Sequence, residues 1–285
     1  MAAVQLLSDL HLEFLPPGKD LAWIEALDPE GVDVLILAGD ICTLSRMGEV
    51  LSAFCGKYPE VVYVTGNHEY YGRSPAQVHG ELWDICVKNK NLHWLNNETV
   101  VVAGLKFCGG TLWFPEPEIR TLALGRRSLN DYRMIRDFEP WVYEQNTLCV
   151  EMLKAQAGEA DIVVTHHLPS STFIAPRFRR EGAMNHFFCH DMTRLIEEAQ
   201  PPLWVFGHTH DRMWTYLKDA VCVCNPLGYP HEPESKERGQ YVPKCLIKMS
   251  DFEYHAGYDA QVRGVKKRTA HIQGLAPGPG LPGNR

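Results

Sequence analysis

An α/β fold is predicted by this sequence, and three observations carry the prediction. Five short apolar runs, at residues 4–7, 34–38, 61–65, 162–165 and 203–206, are β-branched or bulky and have the length of buried strands. The stretches between several of them read as helices and crossover loops. Each run also ends in an acid, a histidine or an asparagine. The endings are Asp9-Leu10-His11, Gly39-Asp40, Gly66-Asn67-His68-Glu69, His166-His167 and Gly207-His208-Thr209-His210. Polar groups at the carboxyl ends of neighbouring strands converge on one point, where open α/β sheets place their sites.

The elements follow in order. After the strand at 4–7, residues 20–27 and 47–57 carry short amphipathic helical patterns on either side of the strand at 34–38. Beyond the strand at 61–65, Ser74-Pro75 opens a longer helix through Lys88, with Ser at the cap and Pro in the first turn. Residues 99–107 and the Gly109-Gly110 break read as a hairpin or strand pair ending in Thr111-Leu112-Trp113-Phe114. Helices at about 138–157 and at 191–199 precede the last two ligand-bearing strands. Residues 213–217, 220–224 and 244–249 are expected to close a second sheet. No internal repeat is visible, and Gly274 to Arg285 is rich in Gly and Pro. The expected organisation is one domain over 1–260 and a flexible tail over 261–285.

Composition agrees with a soluble enzyme. The chain of 285 residues can bury a sizeable core. A single domain is expected, because no cut between positions 12 and 207 leaves the strand-end residues together. The net charge of −7, from 35 acidic and 28 basic residues, disfavours a non-specific nucleic-acid binder. It leaves a nuclease open, since bound metals reverse the sign locally. No apolar stretch is long enough to span a membrane, and the first residues lack the charged start of a secretory signal. Nine cysteines without a CxxC pair read as reduced thiols in a cytoplasmic protein. Cys222 and Cys224 alternate with valines as strand residues do, which favours packing over metal binding.

Taken singly, each strand ending has an ordinary explanation. An Asp or Asn after a strand is commonly turn chemistry, and a lone His there is commonly solvent-facing or satisfied. The recurrence of one arrangement at five places is not explained that way. Seven donors exceed the needs of one small cation and suit two cations sharing a bridge.

In the order D-x-H, G-D, G-N-H-E, H, G-H-x-H, spread from Asp9 to His210, the sequence resembles the calcineurin-like metallophosphoesterases. The resemblance implies a four-layer α/β/β/α sandwich, two mixed sheets flanked by helices, with a dinuclear metal site at the strand ends. It implies that Asp9, His11 and His210 hold one divalent ion and Asn67, His166 and His208 the other. Asp40 would bridge both, and His68 would lie beside the pair as the catalytic histidine. Carboxylate, imidazole and amide donors suit Mn, Fe or Zn. Two such ions roughly 3.5–4 Å apart clamp a phosphoryl oxygen and supply a hydroxide opposite the leaving group. His68 would then protonate the departing oxygen or pair with the phosphoryl oxygens. Glu69 either orients His68 or points away as a surface acid. His167 neighbours His166 on an extended segment and so faces the other way, toward the pocket wall or behind the ligands.

The chain departs from the phosphoprotein phosphatases of that superfamily. Their G-D-x-V-D-R-G block reads here Gly39-Asp40-Ile41-Cys42-Thr43-Leu44-Ser45, without the second acid or the arginine. It is more similar to the small bacterial-type phosphohydrolases, which share the Thr-His-His-x-Pro-Ser and Asn-Pro-x-Gly-Tyr elements. The resemblance implies hydrolysis of a small phosphomonoester or phosphodiester; a DNA or RNA nuclease and a non-catalytic scaffold are the alternatives.

Substrate contacts are expected in the loops. Residues 118–136 carry Arg120, Arg126, Arg127, Arg133 and Arg136 around Asn130-Asp131-Tyr132. Arg127 and Asp131 would meet substrate if this segment leans over the metals; otherwise it is a solvated face with salt bridges. Arg177, Arg179 and Arg180 allow the same two readings. Tyr229, after Asn225-Pro226-Leu227-Gly228, either stacks on a leaving group or packs in the core.

Overall fold

Successive residues along the strands divide between different apolar layers, which is how two sheets and their helices come to be stacked. The computed structural model describes residues 2–232, 241–251, 253–256 and 266–269. The first half of the chain lays down strands β1 (Ala3–Leu7), β2 (Val34–Ala38), β3 (Glu60–Val64) and β4 (Leu92–Trp94). Helices α1 (Lys19–Glu25), α2 (Leu44–Lys57) and α3 (Pro75–Lys88) connect them. The second half holds β5 (Glu98–Val102), β6 (Leu105–Gly110), β7 (Ile162–Thr165), β8 (Leu203–Phe206), β9 (Met213–Leu217) and β10 (Ala220–Cys224). Its helices are α4 (Ile119–Ser128), α5 (Asp131–Met134), α6 (Trp141–Gln156) and α7 (Thr193–Ala199). The chain then returns through β11 (Leu246–Lys248).

The first sheet has the order β11-β1-β2-β3-β4 and the second β5-β6-β7-β8-β10-β9. Neighbours are parallel except β11, β5 and β9, which run antiparallel at edges. Val4, Leu6, Val34, Ile36, Val62 and Val64 of the first sheet meet Ile162, Val164, Leu203, Val205, Val221 and Val223 of the second in one buried layer. The intervening residues face outward, Leu35, Leu37, Val61 and Tyr63 onto α1, α2 and α3. Val163, Trp204, Phe206, Cys222 and Cys224 face α6 and α7. The period-2 alternation thus yields the four layers, and the two cysteines serve as packing groups. At the start of α3, the Ser74 amide donates to Gln77 Oε1 at 3.0 Å, completing a capping box.

Three elements differ from expectation. Residues 246–248 were expected in the second sheet, but β11 pairs with β1 in the first. The crossing is held by Asn225, buried between the sheets, whose amide donates to Leu6 O at 2.9 Å and Val242 O at 3.0 Å. Residues 111–114 form no strand; Leu112 and Trp113 take left-handed backbone conformations and turn their side chains into the cores. The arginine-rich segment holds the helix α4, whose Gly125 gives room for the ring of Phe187. The expected tail lies outside the described residues, apart from β13 (Lys266–Thr269), which pairs with β12 (Glu253–Ala256).

Candidate metal centre

Because β1, β2, β3, β7 and β8 are parallel within their sheets, their carboxyl ends open on one edge of the sandwich. There the backbone turns sharply. Asp9, His11, Asp40 and His208 all have positive φ, between 47° and 64°. Such conformations cost on the order of 1–3 kcal/mol each and persist where the surroundings enforce them. The glycines of the motifs make the approach possible. A Cβ on Gly66 would lie inside the Asp40 carboxylate, and one on Gly39 inside the His166 ring.

The expected donors are brought together in two trios. His11 Nε2 and His210 Nε2 lie 3.1 Å apart, with Asp9 Oδ1 3.8 Å from the latter. His166 Nε2 lies 3.2 Å from His208 Nδ1 and 3.3 Å from Asn67 Oδ1. Asp40 stands between, with Oδ1 3.5 Å from His166 Nε2 and Oδ2 3.8 Å from His11 Nε2. An ion bonded at about 2.1 Å holds neighbouring donors about 3.0–3.4 Å apart, so the spacing suits metal coordination. Asp9 Oδ2 is buried without a hydrogen-bond partner among the described residues, as an atom reserved for a cation would be.

The electrostatics agree. Burial and neighbouring imidazoles push the pKa of His208 well below its ordinary value, and burial lowers that of His11, which leaves lone pairs available. Burial opposes the charge on Asp40, yet His166 and His68 hold its carboxyl well below the usual range. For His166 burial alone would lower the pKa, but the Asp40 and Asp9 carboxylates carry it up to about 9. The site draws positive charge to where ions would sit.

A layer behind the donors fixes their orientation. His166 Nδ1 donates to Ala38 O at 2.9 Å, which leaves Nε2 facing Asn67 and His208. His210 Nδ1 lies 2.7 Å from Glu232 Oε2. Asp131 accepts from Asn67 Nδ2 at 2.9 Å and from Tyr71 OH at 2.7 Å, so the Asn67 oxygen is turned toward His166. His167 is buried, stacked on His208 at 4.2 Å, and hydrogen-bonded to Thr111 O at 3.3 Å. Glu69 does neither thing expected of it. Fully buried, it accepts from the amides of Gly66, Asp40 and Ile41 and ties two ligand loops together.

His68 lies beside the donors, with Nδ1 2.9 Å from Glu13 Oε1 and Nε2 2.9 Å from Tyr229 OH. Burial works against its charge, but Asp40 and Glu13 raise its pKa to about 9. Gly228 N donates to Asp9 O at 2.9 Å, and this lays the Tyr229 ring 4.3 Å from His11. Glu13, Glu232 and Tyr71 were not singled out from the sequence. Glu13 alone had a local signal, two residues beyond His11.

The arginines take the ordinary reading. Arg126 pairs with Glu139, Arg133 with Asn130 Oδ1, and Arg136 with Gly72 O. Arg127 is exposed on α4 and is not among the residues that line the cleft above the donors. Helix formation at 119–128 directs its side chain to solvent, while Ser128, Leu129 and Asn130 reach the cleft. Asp131 is spent on Asn67 and Tyr71. Of the later cluster, Arg177 lines the cleft and forms a two-pronged pair with Asp211, both contacts 2.5 Å.

Fold and donor set together define a metal-dependent phosphoesterase. The pattern of the calcineurin-like phosphoesterase family matches residues 4–212, and the chain belongs to that family of phosphoric ester hydrolases. An uncharacterized protein of Acanthamoeba polyphaga mimivirus is 27% identical over 282 residues, spanning 87% of this chain and 96% of its own. A UPF0046 protein of Caenorhabditis elegans is 26% identical over 199 residues, 65% of this chain and 58% of its own. Among solved structures, the phosphopantetheinyl hydrolase of Mycobacterium tuberculosis shares the fold. It has a TM-score of 0.66 at 16% identity, over 97% of this chain and 99% of that one.

Proposed function

We propose that this chain hydrolyses small organic phosphate esters at a centre of two divalent ions, of the Mn, Fe or Zn type. The observation that carries the reading is Asp40, which offers one oxygen to each donor trio. Asp9, His11 and His210 would hold one ion, and Asn67, His166 and His208 the other. The ion pair supplies charge stabilisation at the phosphoryl oxygens and an activated water when bound. His68, held by Glu13 through Nδ1 and lining the cleft, donates a proton to the departing oxygen. Tyr229 shares that proton path and closes one side of the site.

A small substrate suits the wall better than a nucleic acid does. Among the described residues lining the cleft, Arg177 is the single guanidinium, and Asp211 already neutralises it. A polynucleotide backbone needs several unpaired cations. All nine cysteines are unpaired, which suits a reducing compartment such as the cytoplasm. No helix among the described residues is long and apolar enough to cross a membrane.

The test is hydrolysis of p-nitrophenyl phosphate and bis-p-nitrophenyl phosphate by metal-stripped chain, before and after refilling with Mn²⁺. Activity returning with about two ions per chain is the expected result, and the ratio of the two rates separates monoesterase from diesterase. A chain that binds no metal and cleaves neither ester would refute the reading.

A further inference from the structure

The cleft above the donors has a volume of about 470 Å³, in the range of sites that enclose small organic ligands. One end of its wall is Asp40, Asn67, His68, His208 and His210. The remainder is dominated by Leu129, Leu168, Ile174, Phe178, Met184 and Phe188. Five of these lie in the excursion between β7 and α7, which is a built feature rather than a loose loop. Phe187 is fully buried in the notch at Gly125 and packs edge-on against Phe114 at 5.1 Å. Arg177 ties the same excursion to Asp211, one residue beyond His210, and its guanidinium covers the Phe178 ring at 4.5 Å.

All but one of the charged groups on this wall are already committed. Arg177 is paired with Asp211, Asp131 with Asn67 and Tyr71, and Glu232 with His210. What remains open to a ligand beyond the donors is apolar carbon, the neutral polar groups of Ser128, Asn130 and Asn185, and the exposed acid Glu181. A second anionic group would find no unpaired cation on this wall and would meet Glu181. An extended hydrocarbon arm would leave water for contacts of its own kind.

Resting on the hydrolase reading above, we propose that the cleft selects esters in which a single phosphoryl group carries an extended, uncharged and largely apolar organic arm. The phosphoryl group lies at the donor end and the arm runs along the surface formed by Ile174, Phe178, Met184 and Phe188. The cleft therefore excludes substrates with further phosphates or carboxylates on that arm.

Calorimetric titration of the metal-loaded full chain with n-alkylphosphonates, from methyl to octyl, tests this without requiring turnover. Kd should fall about two- to four-fold for each added methylene until the cleft is filled. 3-Phosphonopropionate should bind more weakly than propylphosphonate. Phe178→Ala and Met184→Gln should each flatten the dependence on chain length. Trp83→Ala, on the exposed face of α3, should not. Affinity independent of chain length, or tighter binding of the carboxylate analogue, would overturn the proposal. A chain that shows the chain-length series yet cleaves no aryl phosphate ester would refute the hydrolase reading alone.

Discussion

His68 Nδ1 lies 2.9 Å from Glu13 Oε1, so an acid two residues after one donor holds the histidine that follows another. Glu13 comes from the single 3-10 turn at Leu12–Phe14 that follows β1. Glu13→Gln keeps the shape and removes the charge. It should lower kcat about 10–100-fold with metal content unchanged, on the scale of supporting hydrogen bonds to functional groups. Glu13 raises the pKa of His68, so its loss should move the alkaline limb of the kcat profile to lower pH. An unaltered pH profile would show that Glu13 is only packing.

His68→Ala separates chemistry from metal binding. It should reduce kcat by about 10²–10⁴-fold while the chain retains its ions. Metal analysis after gel filtration checks this, and loss of an ion together with activity would make His68 a ligand.

Asp131 acts through Asn67. Without its carboxylate the Asn67 amide can rotate and present nitrogen instead of oxygen. Asp131→Ala should weaken binding at one of the two metal sites about 10–100-fold, seen as biphasic loss of metal under a chelator. A single unchanged phase would refute the orienting role.

Gly66→Ala should abolish metal binding although the exchange adds only a methyl group. Its Cβ would occupy the place of the Asp40 carboxylate, the atom group shared by both trios. Asp40→Ala should give the same result, and a fully loaded Asp40→Ala chain would contradict the bridge.

The site was readable where chemistry is tied to strand ends. Asp9, His11, Asp40, Asn67, His166, His208 and His210 stand directly after the runs whose pattern announced strands, and they converge as parallel sheets require. Where Arg127 faces was not readable, because arginines near a site look the same whether they face a cleft or water; the rotation of α4 decides, and no local pattern reports it. Residues 246–248 were misassigned, since a short strand with two apolar residues can serve either sheet.

By itself, then, the sequence determined the strand alternation, the α/β class and which acidic, histidine and asparagine side chains stand at the strand ends, because these depend on residues close together in the chain. Tertiary structure decided the partners of those donors. Glu13 and His68 are separated by 55 positions and His68 and Tyr229 by 161. It also decided that β11 joins β1 and that the cleft wall is apolar. Such contacts arise only when two sheets pack face to face and bring loops from both onto one edge.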